Sequence, residues 1–185
     1  MPEELLIRHC APTLAGIKTS NLFGCRYDSR EQLLDDVRDL NNRLRAKGLR
    51  VLPLQYRKGY ALIYLYRPDR LEKDLEDIDA CRLLEDRGYD CDSPSRCLAH
   101  LMERLRQAGQ QNFPHEIGLF LGYPPEDVEG FIAHQAQDSK CVGVWKVYGD
   151  ADRAKAQFDA YQKCTDEFFR LWDKGASVEQ LTVPS

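Results

Sequence analysis

The sequence predicts an α/β (or α+β) protein, with a mixed sheet of about five strands and helices packed on its faces. Three observations predict it. A tyrosine-rich hairpin lies over 49–66. Five stretches of apolar residues at helical spacing begin at proline, serine or aspartate caps. Strand-helix-strand patterns occur near the start and again over 117–148, each implying a right-handed parallel crossover. The 185 residues fit one domain over 1–185, with a helical segment at 68–109 between the hairpin and the last strand-helix-strand unit.

In order along the chain, residues 12–23 read as a short strand running into a loop. Ser29 to Gln32 reads as a capping box, and Leu33, Val37, Leu40 and Leu44 follow at helical spacing before Gly48. Runs at 49–56 and 60–66 are joined by Arg57-Lys58-Gly59, a hairpin signal. In the second run, Ala61, Ile63 and Leu65 occupy one face and Tyr60, Leu62, Tyr64 and Tyr66 the other, as in a strand covered on both sides.

Pro68 opens a helix carrying Leu71, Leu75 and Ile78, and Cys81 and Leu84 extend it, or a second one, to Gly88. Ser93-Pro94 opens another, with Leu98, Leu101, Met102 and Leu105 inward and Gly109 after its end. Residues 117–121 read as a short buried strand. Pro124-Pro125 begins a helix with Val128, Phe131 and Ile132. Residues 141–148 read as the last strand. Asp150 caps a long final helix striped by Phe158, Tyr161, Thr165, Phe168 and Trp172, and 175–185 reads as a frayed tail.

Composition narrows the function. Apolar residues at 43% suffice for a core, and a net charge of −4 argues against a dedicated nucleic-acid binder. No signal peptide or membrane-spanning run is visible, so the expected location is cytoplasmic, without a membrane partner. Seven cysteines form no Cys-x-x-Cys pair, so no zinc ribbon or thioredoxin motif is read, and reduced thiols are expected. Cys97 and Cys164 read as core residues.

Three motifs in order carry a resemblance: the segment from His9-Cys10 to Lys18-Thr19, the block 113–132 that opens Phe113-Pro114-His115-Glu116, and Trp145-Lys146-Val147-Tyr148-Gly149-Asp150. Together the chain resembles domain-of-unknown-function family 3793. The resemblance implies a small intracellular protein of Clostridia-like anaerobic bacteria, a setting that suits many free thiols. It carries no catalytic roles.

The candidate site residues fall into groups. His9-Cys10 joins an imidazole to a thiol, the residue types of a nucleophile or a metal ligand. Thr13, Lys18 and Asn21 follow as anion-binding candidates. His115-Glu116 begins like a zincin motif, but no second histidine follows at helical spacing, so it reads as a ligand-contacting pair. Glu126 and Asp127 satisfy the N-terminus of their own helix. The stretch 40–68 has no acidic residue and carries Arg43, Arg45, Lys47, Arg50, Arg57, Lys58 and Arg67 among tyrosines, a positive patch for a phosphorylated ligand, RNA or an acidic partner. Lys146 beside Trp145 is the last basic candidate.

Three functions follow, in this order. The first is a small-ligand or metal-binding regulatory protein, with His9, Cys10 and His115 as metal candidates and His9, Thr13, Lys18, Asn21, Arg67 and Lys146 as ligand contacts. The second is a thiol-dependent enzyme with Cys10 as nucleophile, His115 as its base and Glu116 beside it. The third is a protein-interaction module using the basic hairpin at 43–67. No glycine-rich phosphate loop, dinucleotide fingerprint or nucleophile elbow is present.

Overall fold

Several helix starts in this chain are set by local chemistry. The computed structural model describes residues 1–108 and 112–185; the expected helix terminator Gly109 lies outside them. In chain order the elements are α1 (Glu3–Leu14), β1 (Ser20–Arg26), α2 (Arg30–Leu44), β2 (Arg50–Arg57), β3 (Tyr60–Tyr66), α3 (Pro68–Leu75), α4 (Ile78–Glu85), α5 (Pro94–Gln107), α6 (Ile117–Phe120), α7 (Pro125–Ala133), β4 (Cys141–Val142), β5 (Lys146–Val147), α8 (Ala151–Trp172) and α9 (Val178–Leu181). The mixed α and β character holds, but the five strands among the described residues form two small antiparallel sheets rather than one mixed sheet.

The chain divides into two compact units, one of Met1–Asp69 with Tyr161–Ser185, the other of Arg70–Ala160. In the first, β3 lies between β1 and β2 and pairs antiparallel with both. Strands β1 and β2 therefore run the same way but do not touch, so the strand-helix-strand crossover expected near the start exists only in split form, with the third strand inserted between its arms. Pro53 is tolerated because β2 is an edge strand, next to a bulge between Pro53 and Gln55. Gly59, at φ +71°, supplies the tight reversal of the hairpin.

One face of this sheet carries Phe23, Cys25, Val51, Ala61, Ile63 and Leu65. They share a core with Leu6, Ile7, Cys10 and Leu14 of α1, Leu33, Val37, Leu40 and Leu44 of α2, and Phe168, Val178 and Leu181. Three expectations are corrected here. The N-terminal segment read as strand and loop is helical to Leu14, and strand begins only at Ser20. Pro12 inside that helix ends its regular hydrogen bonding soon after, and its carbonyl accepts from the amides of Ile17 and Lys18. The tail is not frayed: Ser177 and Gln180 make a reciprocal capping box for α9, and Val178 is fully buried. At Ser29 only half of that motif forms, since its hydroxyl accepts from the Gln32 amide while the Gln32 side chain turns to Asp36.

In the second unit, α4 starts with Asp77, whose carboxylate takes the amides of Asp79 and Ala80, and α8 starts with Asp150, which takes those of Asp152 and Arg153. Leu98, Leu101 and Leu105 of α5 are buried, as their spacing predicts, and Met102 is half-buried. Two strand expectations fail. Residues 117–120 form one helical turn, α6, and 141–148 fold back as a hairpin of two-residue strands. The run Ile-Gly-Leu-Phe-Leu is short and apolar on every side, and periodicity alone does not separate a buried turn of helix from a buried strand. No helix among the described residues is long and apolar enough to cross a membrane.

Candidate functional site

The second unit contains a pocket of about 370 Å³ built from the block 113–131 and the hairpin 142–146. Its walls are mostly apolar. Phe113, Leu121, Val128 and Phe131 line one side, and Val142, Val144 and Trp145 the other. Two basic side chains, His115 and Lys146, reach it.

Asp127 fixes the hairpin side. It sits in the first turn of α7, 3% exposed. One carboxylate oxygen accepts the Trp145 indole N–H at 2.7 Å, and the other accepts the backbone amides of Tyr148 and Gly149, both at 2.7 Å. The expectation that Asp127 serves its own helix end is thus incomplete, because the carboxylate is spent on the segment 145–149. Held this way, Trp145 stacks on Tyr123 at 4.8 Å and meets Phe158 edge-on at 4.6 Å. Gly130 lets the chains come this close: a Cβ there would stand 2.5 Å from Cβ and Cγ of Tyr148.

On the other side, the His115 ring packs at 5.0 Å from Phe131 and 5.9 Å from Phe113. Its neighbour Glu116 points inward, 2% exposed, and accepts the Tyr89 hydroxyl at 2.9 Å with Arg104 Nε at 3.1 Å. Burial first, and then the Glu116 charge, push the Tyr89 phenol well above its ordinary range. The pair His115-Glu116 is therefore divided, with the imidazole at the pocket and the carboxylate inside the unit.

Lys146 donates one hydrogen bond, to the carbonyl of Ala136 at 2.5 Å, and an ammonium has two further donors. The segment it holds is strained: Gln135, Ala136 and Asp138 have φ of +50°, +64° and +58°.

The N-terminal candidates lie in the first unit. On a helix, adjacent residues diverge by about 100°, so His9 faces out and stacks on Phe23 at 5.8 Å while Cys10 faces in with no exposure. Burial pushes the Cys10 thiol far above its ordinary range, and burial with the neighbouring Arg8 charge lowers His9. Thr13 donates its hydroxyl to Asn21 Oδ1 at 2.7 Å, and Lys18, 3% exposed, donates to the Ser20 carbonyl.

Arg67 is 2% exposed and serves the chain itself. It donates to the carbonyls of Thr13, Leu14 and Val183 at 2.7, 2.8 and 2.7 Å and to the Ser185 hydroxyl at 2.9 Å. Much of the basic stretch is committed in the same way. Arg43 bridges Glu3, Asp39 and Glu179, and Lys47 donates to the carbonyls of Glu179 and Thr182. Arg57 and Lys58 stay exposed at the hairpin tip.

The family described as "Protein of unknown function (DUF3793)" matches residues 6–182. The chain belongs to the DUF3793 family. No curated protein and no solved structure matches it. The pocket of this DUF3793 chain draws its walls from two of the three motifs that carried the resemblance. What the sequence did not show was that Trp145, Phe113 and Phe131 would face one cavity. A second unforeseen grouping in the same unit brings together Cys81, Glu85 and Cys91.

Proposed function

We propose that this protein binds a small molecule in the pocket between 113–131 and 142–146, and that the ligand is a compact aromatic or aliphatic body carrying one anionic group. The observation that supports the reading is the pairing of apolar walls with two basic side chains, His115 and Lys146, in a cavity of about 370 Å³. That is the size and chemistry of small-molecule sites, in which apolar lining supplies affinity and a few placed polar groups fix orientation. The Phe131, Val144 and Trp145 surfaces take the body of the ligand, and the Lys146 ammonium takes its carboxylate or phosphate. The His115 ring offers a second polar contact. Of the three functions considered from sequence, this is the first, narrowed to its His115 and Lys146 half. A Cys10 nucleophile would have to ionise with no exposure, so the enzymatic reading has less support.

The test uses the Trp145 indole as reporter. In a Trp172→Phe background, its indole N–H is the sole tryptophan signal in a proton–nitrogen spectrum. Small aromatic and branched aliphatic carboxylates should shift it saturably, and the matching amides should act at least about tenfold more weakly. Lys146→Met should remove that preference while leaving the fold signals in place. Absence of a saturable shift across the panel, or full binding by both Lys146→Met and Phe131→Ala, would refute the assignment.

A further inference from the structure

Four side chains with metal-ligand chemistry meet at the corner between α4 and α5. Cys81 and Glu85 stand one turn apart on α4 and share a face, with Sγ and Oε1 at 3.6 Å. The helix ends there. Gly88, at φ +82°, reverses the chain, and the Tyr89 amide ties back to the Leu84 carbonyl. The return brings Cys91 over α4, its thiol donating to the Cys81 carbonyl at 3.5 Å. Pro94 then opens α5, whose first turn presents Cys97, 1% exposed, with its thiol at 3.1 Å from the Asp90 carbonyl and in contact with that of Cys91.

The ligand atoms of Cys81, Glu85 and Cys91 all lie within 4.8 Å of one another. A tetrahedral ion with metal–sulfur bonds of about 2.3 Å places its ligand atoms about 3.8 Å apart, so only a small contraction separates this arrangement from a coordination shell. Reduced, hydrogen-bonded thiols would satisfy the burial of Cys97 and the one-turn spacing of Cys81 and Glu85; the non-local feature is Cys91, which the turn at Gly88 brings within 4.8 Å of both from a separate segment. A cation draws all four groups together, since thiolate and carboxylate are repelled by one another and attracted by it.

We propose that Cys81, Glu85, Cys91 and Cys97 bind one thiophilic divalent cation of the zinc class. With four protein ligands the shell is closed and has no position for a substrate, so the ion is structural. It pins the end of α4 to the start of α5 across the turn at Gly88. The proposal is independent of the pocket, which shares none of these residues.

The probe is cobalt(II), then zinc(II), added to reduced full-length protein whose thiols have been counted. One equivalent of cobalt should give a thiolate-to-metal charge-transfer band with tetrahedral ligand-field bands, and zinc should displace it stoichiometrically. Cys81→Ser, Cys91→Ser and Glu85→Gln should each lower the affinity by at least about tenfold, while Cys141→Ser and Cys164→Ser bind as the parent does. Circular dichroism of the apo variants establishes that they fold. Cys97→Ser should lower the affinity likewise, and full affinity in that variant would overturn the closed four-ligand shell. No charge-transfer band with every thiol reduced, or parental affinity in folded Cys81→Ser and Cys91→Ser, would overturn the site. Loss of two thiols to a Cys81–Cys91 disulfide in protein prepared without oxygen would overturn it too.

Discussion

Asp127 accepts the indole N–H of Trp145 at 2.7 Å, and with its second oxygen it gathers the amides of Tyr148 and Gly149. One buried carboxylate therefore fixes both the ring that lines the pocket and the start of the turn into α8. Asp127→Ala leaves one buried and two part-buried donors without their acceptor and should cost about 2–4 kcal/mol in urea unfolding. Asp127→Asn keeps the shape, loses the charge and should cost less. A loss below about 1 kcal/mol for the alanine variant would show that water replaces the carboxylate easily.

The Tyr148 hydroxyl is buried with no hydrogen-bond partner among the described residues. Tyr148→Phe removes that unsatisfied group and should be neutral or stabilising by up to about 1 kcal/mol. Gly130→Ala, whose new methyl meets the stem of the same ring at 2.5 Å, should destabilise by about 1–3 kcal/mol. The ring stem cannot move away without shifting its backbone. Thermal unfolding of the two variants would separate them in opposite directions; an alanine at 130 tolerated at no cost would contradict the packing.

Arg67 joins the end of α1 to the last residues of the chain through four close hydrogen bonds. Arg67→Met leaves buried carbonyls unpaired and should cost about 3–5 kcal/mol. Arg67→Lys, with a single-point donor in place of a planar fork, should recover only part of it. Hydrogen exchange should show the loss first at Leu181 and Val183, whose amides bond Ser177 and Leu14. Unchanged exchange there would mean that α9 holds its place without Arg67.

Acid should weaken the first unit through Glu179. Its hydrogen bond to Arg43 lowers its carboxyl pKa from 4.5 to about 2. A group whose folded pKa is depressed contributes stability that is fully present above its unfolded value and is lost as the pH falls through the folded one. The contribution of Glu179 should thus fade from about pH 4.5 to about pH 2. Comparing the parent with Glu179→Gln over that range isolates it from other carboxylates: the two should differ at pH 6 and converge near pH 2. A constant difference would mean that the bridge contributes nothing dependent on ionisation.

Residues that act through local rules were legible in the sequence. Ser29, Asp150 and the prolines at 68, 94 and 125 place helix starts within a residue, and Gly59 places the hairpin. Each works through contacts within a few positions. The failures share a different origin. Strand or helix at 117–121 is decided by what surrounds the segment, since Glu116 is drawn inward to Tyr89 and Arg104. At α1, Pro12 masks a helix whose inward residues Leu6, Ile7 and Cys10 are buried by tertiary packing. The pocket needed Asp127 to reach Trp145 across 18 positions. The cysteine grouping was hidden because its members are spaced 4, 6 and 6 apart, and no short motif records a chain reversal.

The first compact unit is interrupted in sequence, and this sets an order of events. Its opening 69 residues leave their core unfinished until Phe168, Val178 and Leu181 are joined to them. The other unit is continuous from Arg70 to Ala160. On a growing polypeptide the part begun first is completed last, and its apolar strands wait through the synthesis of the other, several seconds at about 5–20 residues per second. Over that interval the Tyr60–Tyr66 strand and its two neighbours are the region most in need of a chaperone. Ribosome-bound chains that carry residues 1–160 followed by a linker long enough to span the exit tunnel should therefore be protease-sensitive before residue 70 and resistant beyond it.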